Sequence, residues 1–181
     1  FLMPEIIIGE KIKLVARNTH DYDEDYWFET NKNRLFLREY LLWVDKTNSL
    51  QDVCNTTDMF IDMWNKGENF AYSIVLNSTG KVVGSIDIHS IDYKNHSAEI
   101  GYWLAQEHNG KGYMAEAVKL IEKQSFNSGL NRIYIQVEVD NTPSCKVAER
   151  AGYEFEGTHK QMLLKYDIFR DINCYAKLKN A

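Results

Sequence analysis

The chain has 181 residues, 44% of them hydrophobic, enough for one good core, so a single domain over residues 1–181 is expected. A formal charge of −5, with the 21 Lys and Arg scattered rather than gathered in a run, argues against a nucleic-acid partner and suits a cationic one. Three widely spaced cysteines, Cys54, Cys145 and Cys174, read as free thiols of a cytoplasmic protein; His20, His89, His96, His108 and His159 show no metal-ligand spacing, so no metal is expected; and no apolar run approaches a membrane span.

The opening Phe1-Leu2-Met3-Pro4 is too short for a signal peptide. Ile12, Leu14 and Ala16 alternate with Lys11, Lys13 and Val15, which predicts a first strand with one face in the core. A helix should follow, capped by Asn18 or Thr19, with Asp21, Asp23, Glu24 and Asp25 in its first turns. That acidic set is either a helix start that favours the dipole or a rim for an amine substrate. From Asn33 to Val44 the large apolar residues have weak periodicity and suit either core or a pocket wall. Leu50, Val53, Thr57, Phe60, Ile61 and Trp64 then recur at helical spacing until Gly67 ends the helix. Residues 70–76 and 81–89 are β-rich runs on either side of Asn77-Ser78-Thr79-Gly80, the chemistry of an antiparallel hairpin.

The stretch from Ala98 to Ala115 organises the rest. It begins as a buried strand and ends as the start of a helix, joined through Gly110 and Gly112. Two glycines one residue apart let successive N–H groups turn toward one anion at the positive end of the helix, although such pairs also occur in turns that bind nothing. Met114, Ala117, Val118, Ile121 and Ser125 form the inner face of that helix, which holds its N-terminus still against a sheet. Ser128-Gly129 stops it, and the alternation from Ile133 to Val139 predicts a strand parallel to the one before the helix. Thr142 as cap and Pro143 at the first helical position predict a short helix over 143–151 with Gly152 behind it. Tyr153, Phe155 and Gly157 resume an extended chain, Tyr166-Asp167 turns it back, and Ile172, Cys174, Ala176 and Leu178 suggest a last strand.

Glu-His-Asn-Gly-Lys-Gly-Tyr-Met at 107–114 and Asn-Thr-Pro-Ser-Cys-Lys-Val-Ala-Glu-Arg-Ala-Gly-Tyr at 141–153 resemble the acyl-CoA-binding motifs of the GNAT superfamily of N-acetyltransferases. More narrowly, Ala-Glu-Ile-Gly-Tyr-Trp-Leu before the loop resembles the RimJ/RimL type of ribosomal-protein acetyltransferase, most closely from about Val82 to Tyr175. The resemblance implies a single α+β domain. Its twisted sheet would be central, mixed and mostly antiparallel, with seven strands, a splay between strands 4 and 5 and about four flanking helices. It implies acetyl-CoA as cosubstrate, its diphosphate held by the amides of Asn109, Gly110, Lys111, Gly112, Tyr113 and Met114. Trp103 and Leu104 would offer free backbone groups to the pantetheine arm, with Asn141 and Ser144 near the thioester. Glu107 departs from the superfamily pattern, which has Gln or Arg there in many members, and weakens the positive field.

Transfer to an amine requires a neutral nucleophile, a polarised thioester carbonyl and a proton for the leaving thiolate. An N–H near Leu104 is the expected polarising group and Ser144 the expected acid, although Ser144 also suits a helix start. Glu99 is the first choice of base, directly or through water, because a carboxylate inside an apolar strand needs a partner or a task; Glu68 is the alternative. The expected acceptor is a protein N-terminal α-amine, with a polyamine or aminoglycoside as the competing class, and many relatives are homodimers. A non-catalytic acyl-CoA sensor would keep the cradle but need no base. The literal G-x-G-x-x-A at Gly110, Gly112 and Ala115 also matches a dinucleotide fingerprint, but five residues separate it from its strand and about 100 precede that strand.

Overall fold

The computed structural model describes residues 2–180; Phe1 and Ala181, the ends of the expected domain, lie outside the described residues. One sheet is built from β1 (Ile6–Ile8), β2 (Ile12–Ala16), β3 (Phe70–Leu76), β4 (Val82–Asp92), β5 (Ser97–Leu104), β6 (Arg132–Glu138), β7 (Glu154–Lys165) and β8 (Ile168–Leu178). Helices α1 (Asp23–Lys32), α2 (Arg34–Leu37), α3 (Leu50–Lys66), α4 (Tyr113–Asn127) and α5 (Thr142–Arg150) accompany it. The strand order is β1-β2-β3-β4-β5-β6-β8-β7, with β5 and β6 the one parallel pair among the described residues, joined by the α4 crossover. The fold class is as expected, with eight strands rather than seven and five α-helices rather than four. The extra strand is Ile6-Ile7-Ile8, where three identical residues carry no alternation and pairing with Lys13–Val15 alone turns Ile7 inward. The extra helix, α2, has four residues and lies in the stretch without clear periodicity.

All seven residues of β3 are buried, because both faces of the sheet are covered at its centre. On one face Met114, Ala117, Val118 and Ile121 of α4 join Ile12, Leu14, Tyr72 and Ile86 in the main core. On the other, Tyr26 of α1 and Val53 of α3 pack with Val75 and Val82. The helix ends follow local chemistry. The Ser49 hydroxyl caps α3 by accepting from Asp52 N, and Gly67 closes the helix in the left-handed region at φ 72°. Two expected caps are corrected. α1 starts only at Asp23 and has no side-chain cap, because Thr19 is bonded to Asp21 instead. α5 is capped by Asn141 rather than Thr142, its Oδ1 accepting from Ser144 N at 3.3 Å, and Thr142 becomes the first helical residue.

A long-range clamp closes the molecule around the end of β6. The Lys165 ammonium, 3% exposed, donates at 2.6 Å to both oxygens of Glu138 and to Glu39 O. Beside it the Tyr166 hydroxyl donates to Arg38 O, and Asp45 Oδ2 lies 2.9 Å from the same hydroxyl, so the β7–β8 turn grips the segment between α2 and α3. Removing one partner of a buried ion pair leaves the other charge uncompensated, whereas replacing both by apolar groups is close to neutral. Lys165→Met is therefore expected to lower stability by about 3 kcal/mol and Tm by about 10 °C. Lys165→Met/Glu138→Leu should recover most of that loss in the same calorimetric scan.

Candidate active site

β5 and β6 pair only from Ser97↔Arg132 to Glu99↔Tyr134 and then part. Register decides which backbone groups are left over. Ala105 N donates to Val83 O and Arg132 N donates to His96 O, so along β5 odd-numbered residues bond toward β4 and even-numbered ones face β6. Beyond the last paired residues, Tyr102 and Leu104 therefore turn their N–H and C=O groups into the gap. Leu104 stands where the sequence reading put it, but the backbone role given to Trp103 passes to Tyr102, and Trp103 is directed at Ser85 of β4. A cavity of about 200 Å³ opens in the parting, lined by Glu99, Tyr102, Gln136, Asn141 and Ser144 among others. A second, of about 120 Å³, lies beside it and brings together Trp103, Leu104, Asn109, Met114, Asn141 and Ser144.

The anion cradle is at the mouth of the second cavity. Gly110 and Gly112 adopt φ of 76° and 83°, the left-handed region that glycine enters without strain. Among the described residues, the backbone N–H groups from Gly110 to Met114 donate to no other atom of the chain, and the first intrahelical bond is Glu116 N to Gly112 O. A Cβ on Gly110 would meet nothing within 4 Å, so the concavity is open. The Lys11 ammonium lies 4.0 Å from where a Cβ of Gly112 would be, adding a cation that sequence separation concealed. Glu107 does less harm than its charge suggested, because its carboxylate is paired with Lys32, which holds its pKa below the usual carboxylate range. Unbonded amides, a helix N-terminus and a neighbouring ammonium suit a diphosphate.

On the α1–α3 side of the sheet a larger cavity, of about 470 Å³, shares Gly101 and Tyr102 with the parting of β5 and β6. The Trp43 and Trp103 rings meet in its wall at a tilt of 53° with centroids 5.7 Å apart, and the 33–44 stretch contributes Leu41 and Trp43, so its pocket-wall role is realised. Asp87 of β4 forms part of its floor, with Oδ2 accepting from Asn69 Nδ2 at 2.8 Å. His89 stands between Asp87 and Glu99. Its Nδ1 is 3.0 Å from Asp87 Oδ2, at an angle that falls short of a hydrogen bond, and its Nε2 is 3.7 Å from Glu99 Oε2. Gly101 makes room for this row, since a Cβ there would come 2.8 Å from Asp87 Oδ1 and 3.1 Å from the His89 ring. Burial raises the Glu99 pKa, the Asp87 charge adds to the rise, and His89 opposes it. Burial pulls His89 down, but Asp87 and Glu99 outweigh it and the net shift is upward.

The sequence-derived candidates thus converge. Glu99, Asn141 and Ser144 line one cavity, and the Tyr102 hydroxyl donates to Ser144 O at 3.1 Å, fixing the start of α5 against β5. Glu68 is exposed and lines none of these cavities, so it does not stand as the alternative base. Of the acidic set, Asp23 is buried and bonded to Thr57, and Asp25 is paired with Lys81, so these two serve α1 rather than a substrate rim. Asp87 and His89 were missed because a polar residue at every second position is also the pattern of an ordinary half-exposed strand. Among the described residues His20, Asp23 and Cys54 bring possible ligand atoms within 4.8 Å of one another, a cluster invisible in the spacing because Cys54 is on α3.

Comparison with known proteins agrees with this geometry. The acetyltransferase (GNAT) domain matches residues 13–154, so the chain belongs to the GNAT acetyltransferase family. It is 32% identical over 148 residues to the ribosomal-protein-serine acetyltransferase of Escherichia coli (strain K12), covering 81% of this chain and 82% of that protein. Over 111 residues it is 40% identical to the uncharacterized N-acetyltransferase p20 of Bacillus licheniformis, covering 59% of this chain and 62% of that one. Among solved structures, the ribosomal L7/L12 α-N-protein acetyltransferase RimL in complex with coenzyme A superposes with a TM-score of 0.90 at 26% identity, covering 96% of this chain and 98% of that one.

The raised Glu99 pKa has a definite consequence for stability. Between the ordinary carboxylate value of 4.5 and the raised one, the folded chain holds a proton that the unfolded chain has released, so stability falls as pH rises through that window. Glu99→Gln is expected to melt close to wild type at about pH 4 and above it at neutral pH. Melting curves across that range check this, and a variant less stable than wild type at neutral pH would show that the ionised carboxylate stabilises the fold.

Proposed function

We propose that this acetyltransferase moves the acetyl group of acetyl-CoA to the N-terminal α-amine of a protein or peptide. One observation carries the reading: the parting of β5 and β6, lined by Glu99, opens at one end toward an anion cradle and at the other toward the cavity bordered by Asp87. The amides of Gly110 to Met114 would hold the diphosphate, with Asn109 beside them at the cavity wall. The free backbone groups of Tyr102 and Leu104 would receive the pantetheine arm, and the Leu104 N–H would polarise the thioester carbonyl. The amine approaches past Asp87 and loses a proton to Glu99, directly or through water. Its nitrogen then bonds to the carbonyl carbon, the carbon–sulfur bond breaks, the Ser144 hydroxyl protonates the departing thiolate, and the proton that the acylated nitrogen sheds restores the hydroxyl. A raised pKa suits Glu99 to this task, because a buried carboxylate holds a proton more firmly than an exposed one.

The protein acceptor follows the names of two of these relatives, the ribosomal-protein-serine acetyltransferase and the ribosomal L7/L12 α-N-protein acetyltransferase. Three free thiols, two of them buried, suit a reducing cytoplasm. No helix among the described residues is long and apolar enough to cross a membrane. The carboxylate row beside the gap favours an enzyme over an acyl-CoA sensor, which has no use for a base.

Glu99→Gln and Ser144→Ala are each expected to lower kcat by about a hundredfold, with KM for acetyl-CoA changed by less than about twofold. Unchanged rates in both would remove the assigned chemistry. Release of free coenzyme A thiol, followed with N-terminal peptides, spermidine and an aminoglycoside in parallel, tests the acceptor. Turnover with peptides is expected, and turnover with spermidine or the aminoglycoside alone would overturn the choice.

A further inference from the structure

The cavity on the α1–α3 side of the sheet is bordered by a cation that the reaction does not explain. Arg17 follows β2 and is only 7% exposed, yet it borders the same cavity as Asp87. Its guanidinium lies 3.9 Å over the Tyr26 ring and 4.8 Å over the Phe60 ring, and Nη2 donates to Thr57 Oγ1 at 2.9 Å. Nε is enclosed and bonded to nothing, and among the described residues no carboxylate lies within ion-pair distance of the group. The nearest acid in the network is reached only through Thr57, whose hydroxyl donates to Asp23 Oδ1 at 2.6 Å, and the other oxygen of Asp23 is held by His20.

A buried guanidinium without a carboxylate is costly unless something occupies its open side. Lys46 borders the same cavity, so two cations and the Asp87 carboxylate are among its lining residues. The spacing is set by the sheet. Arg17 N bonds to Ala71 O, and Ala71 pairs with Asp87, so the two charged residues are two strands apart, about 10 Å between backbones, with both side chains reaching inward. A few carbon–carbon bonds cover what remains between their tips. A polyamine would bring more positive charge against Arg17 and Lys46, whereas a molecule with one ammonium and one carboxylate meets a partner at each end.

We infer that the acceptor carries a carboxylate close to its reacting amine, and that Arg17 receives this carboxylate while Asp87 faces the ammonium. This deepens the proposed function and rests on it: the preferred peptide begins with an acidic residue, and a free acidic amino acid offers the same pair of groups.

Calorimetric titration of the wild-type enzyme with Glu-Ala-Ala-Ala-amide and Gln-Ala-Ala-Ala-amide tests this directly, because the side chain is then the sole carboxylate. The Glu peptide should bind about tenfold more tightly, as a charge-assisted bidentate contact warrants. In Arg17→Gln the two affinities should coincide at the value for the Gln peptide, and Arg17→Lys should retain part of the preference. Since Arg17 is packed between two rings, the wild-type comparison stands even where a variant fails to fold. Free glutamate in a separate titration distinguishes the sources: binding tighter than the Glu peptide assigns the cavity to an amino acid, weaker binding to a peptide. Equal affinity for the two peptides, or binding of neither, overturns the inference. Acetyl-CoA titrated alone and the rate of coenzyme A release report separately on the transferase, so acetyl transfer with no preference between the peptides would sink the carboxylate assignment and leave the proposed function standing.

Discussion

The site depends on a failure of pairing. Two parallel strands that continued in register would satisfy each other's backbone groups and leave a sealed sheet, whereas β5 and β6 pair over three residues and then diverge. Unpaired N–H and C=O groups are costly when buried, so a strand that keeps them at the centre of a sheet is prepared for an extended amide-bearing ligand. The surrounding architecture holds that opening. α4 rises from the end of β5 with its inner face fixed in the main core, α5 fills the space beside β6 with Tyr102 bonded to its first turn, and the Lys165–Glu138 pair anchors the far rim. A rigid wedge with an amide-rich corner at one end is therefore a property of the whole sheet and not of a flexible loop.

The same strand separates two chemical environments. Even-numbered residues of β5 use their backbones in the gap, while Glu99 and Trp103 put their side chains on the α1–α3 face, with Gly101 between them, opposite His89, Ser85 and Asp87 respectively. Gly101 is the pivot, since its missing Cβ is the space into which Asp87 and His89 lean. Donor and acceptor can then meet at one strand from two sides, and beside the meeting point stand the carboxylates of Asp87 and Glu99 and the His89 imidazole, the chemistry needed to free an amine from its proton.

Much of this was legible in the sequence because it depends on local rules. Gly110 and Gly112 announce left-handed backbone, Gly67 a helix end, Asn77–Gly80 a hairpin, and the apolar face of α4 follows from spacing alone. Glu99, singled out as a carboxylate inside an apolar strand, and Ser144, placed near the thioester by the resemblance, line one cavity. What escaped depends on distant partners. Ile6–Ile8 becomes a strand only because β2 offers it an edge, Lys11 reaches the cradle from a turn about a hundred residues away in the chain, and the clamp at Lys165 joins segments more than a hundred residues apart. The Trp103 reading failed for a subtler reason: alternation along a strand says which face a side chain takes, while the neighbour a backbone group bonds is fixed by register, which no pattern within one strand records.

The most direct test is a crystal structure of the protein grown with acetyl-CoA. The account predicts the diphosphate within hydrogen-bonding distance of the amides from Gly110 to Met114, and the pantetheine arm lying in the parting of β5 and β6 against Tyr102 and Leu104. A complex with the nucleotide seated elsewhere, or with that parting empty beside a bound acetyl-CoA, would contradict it.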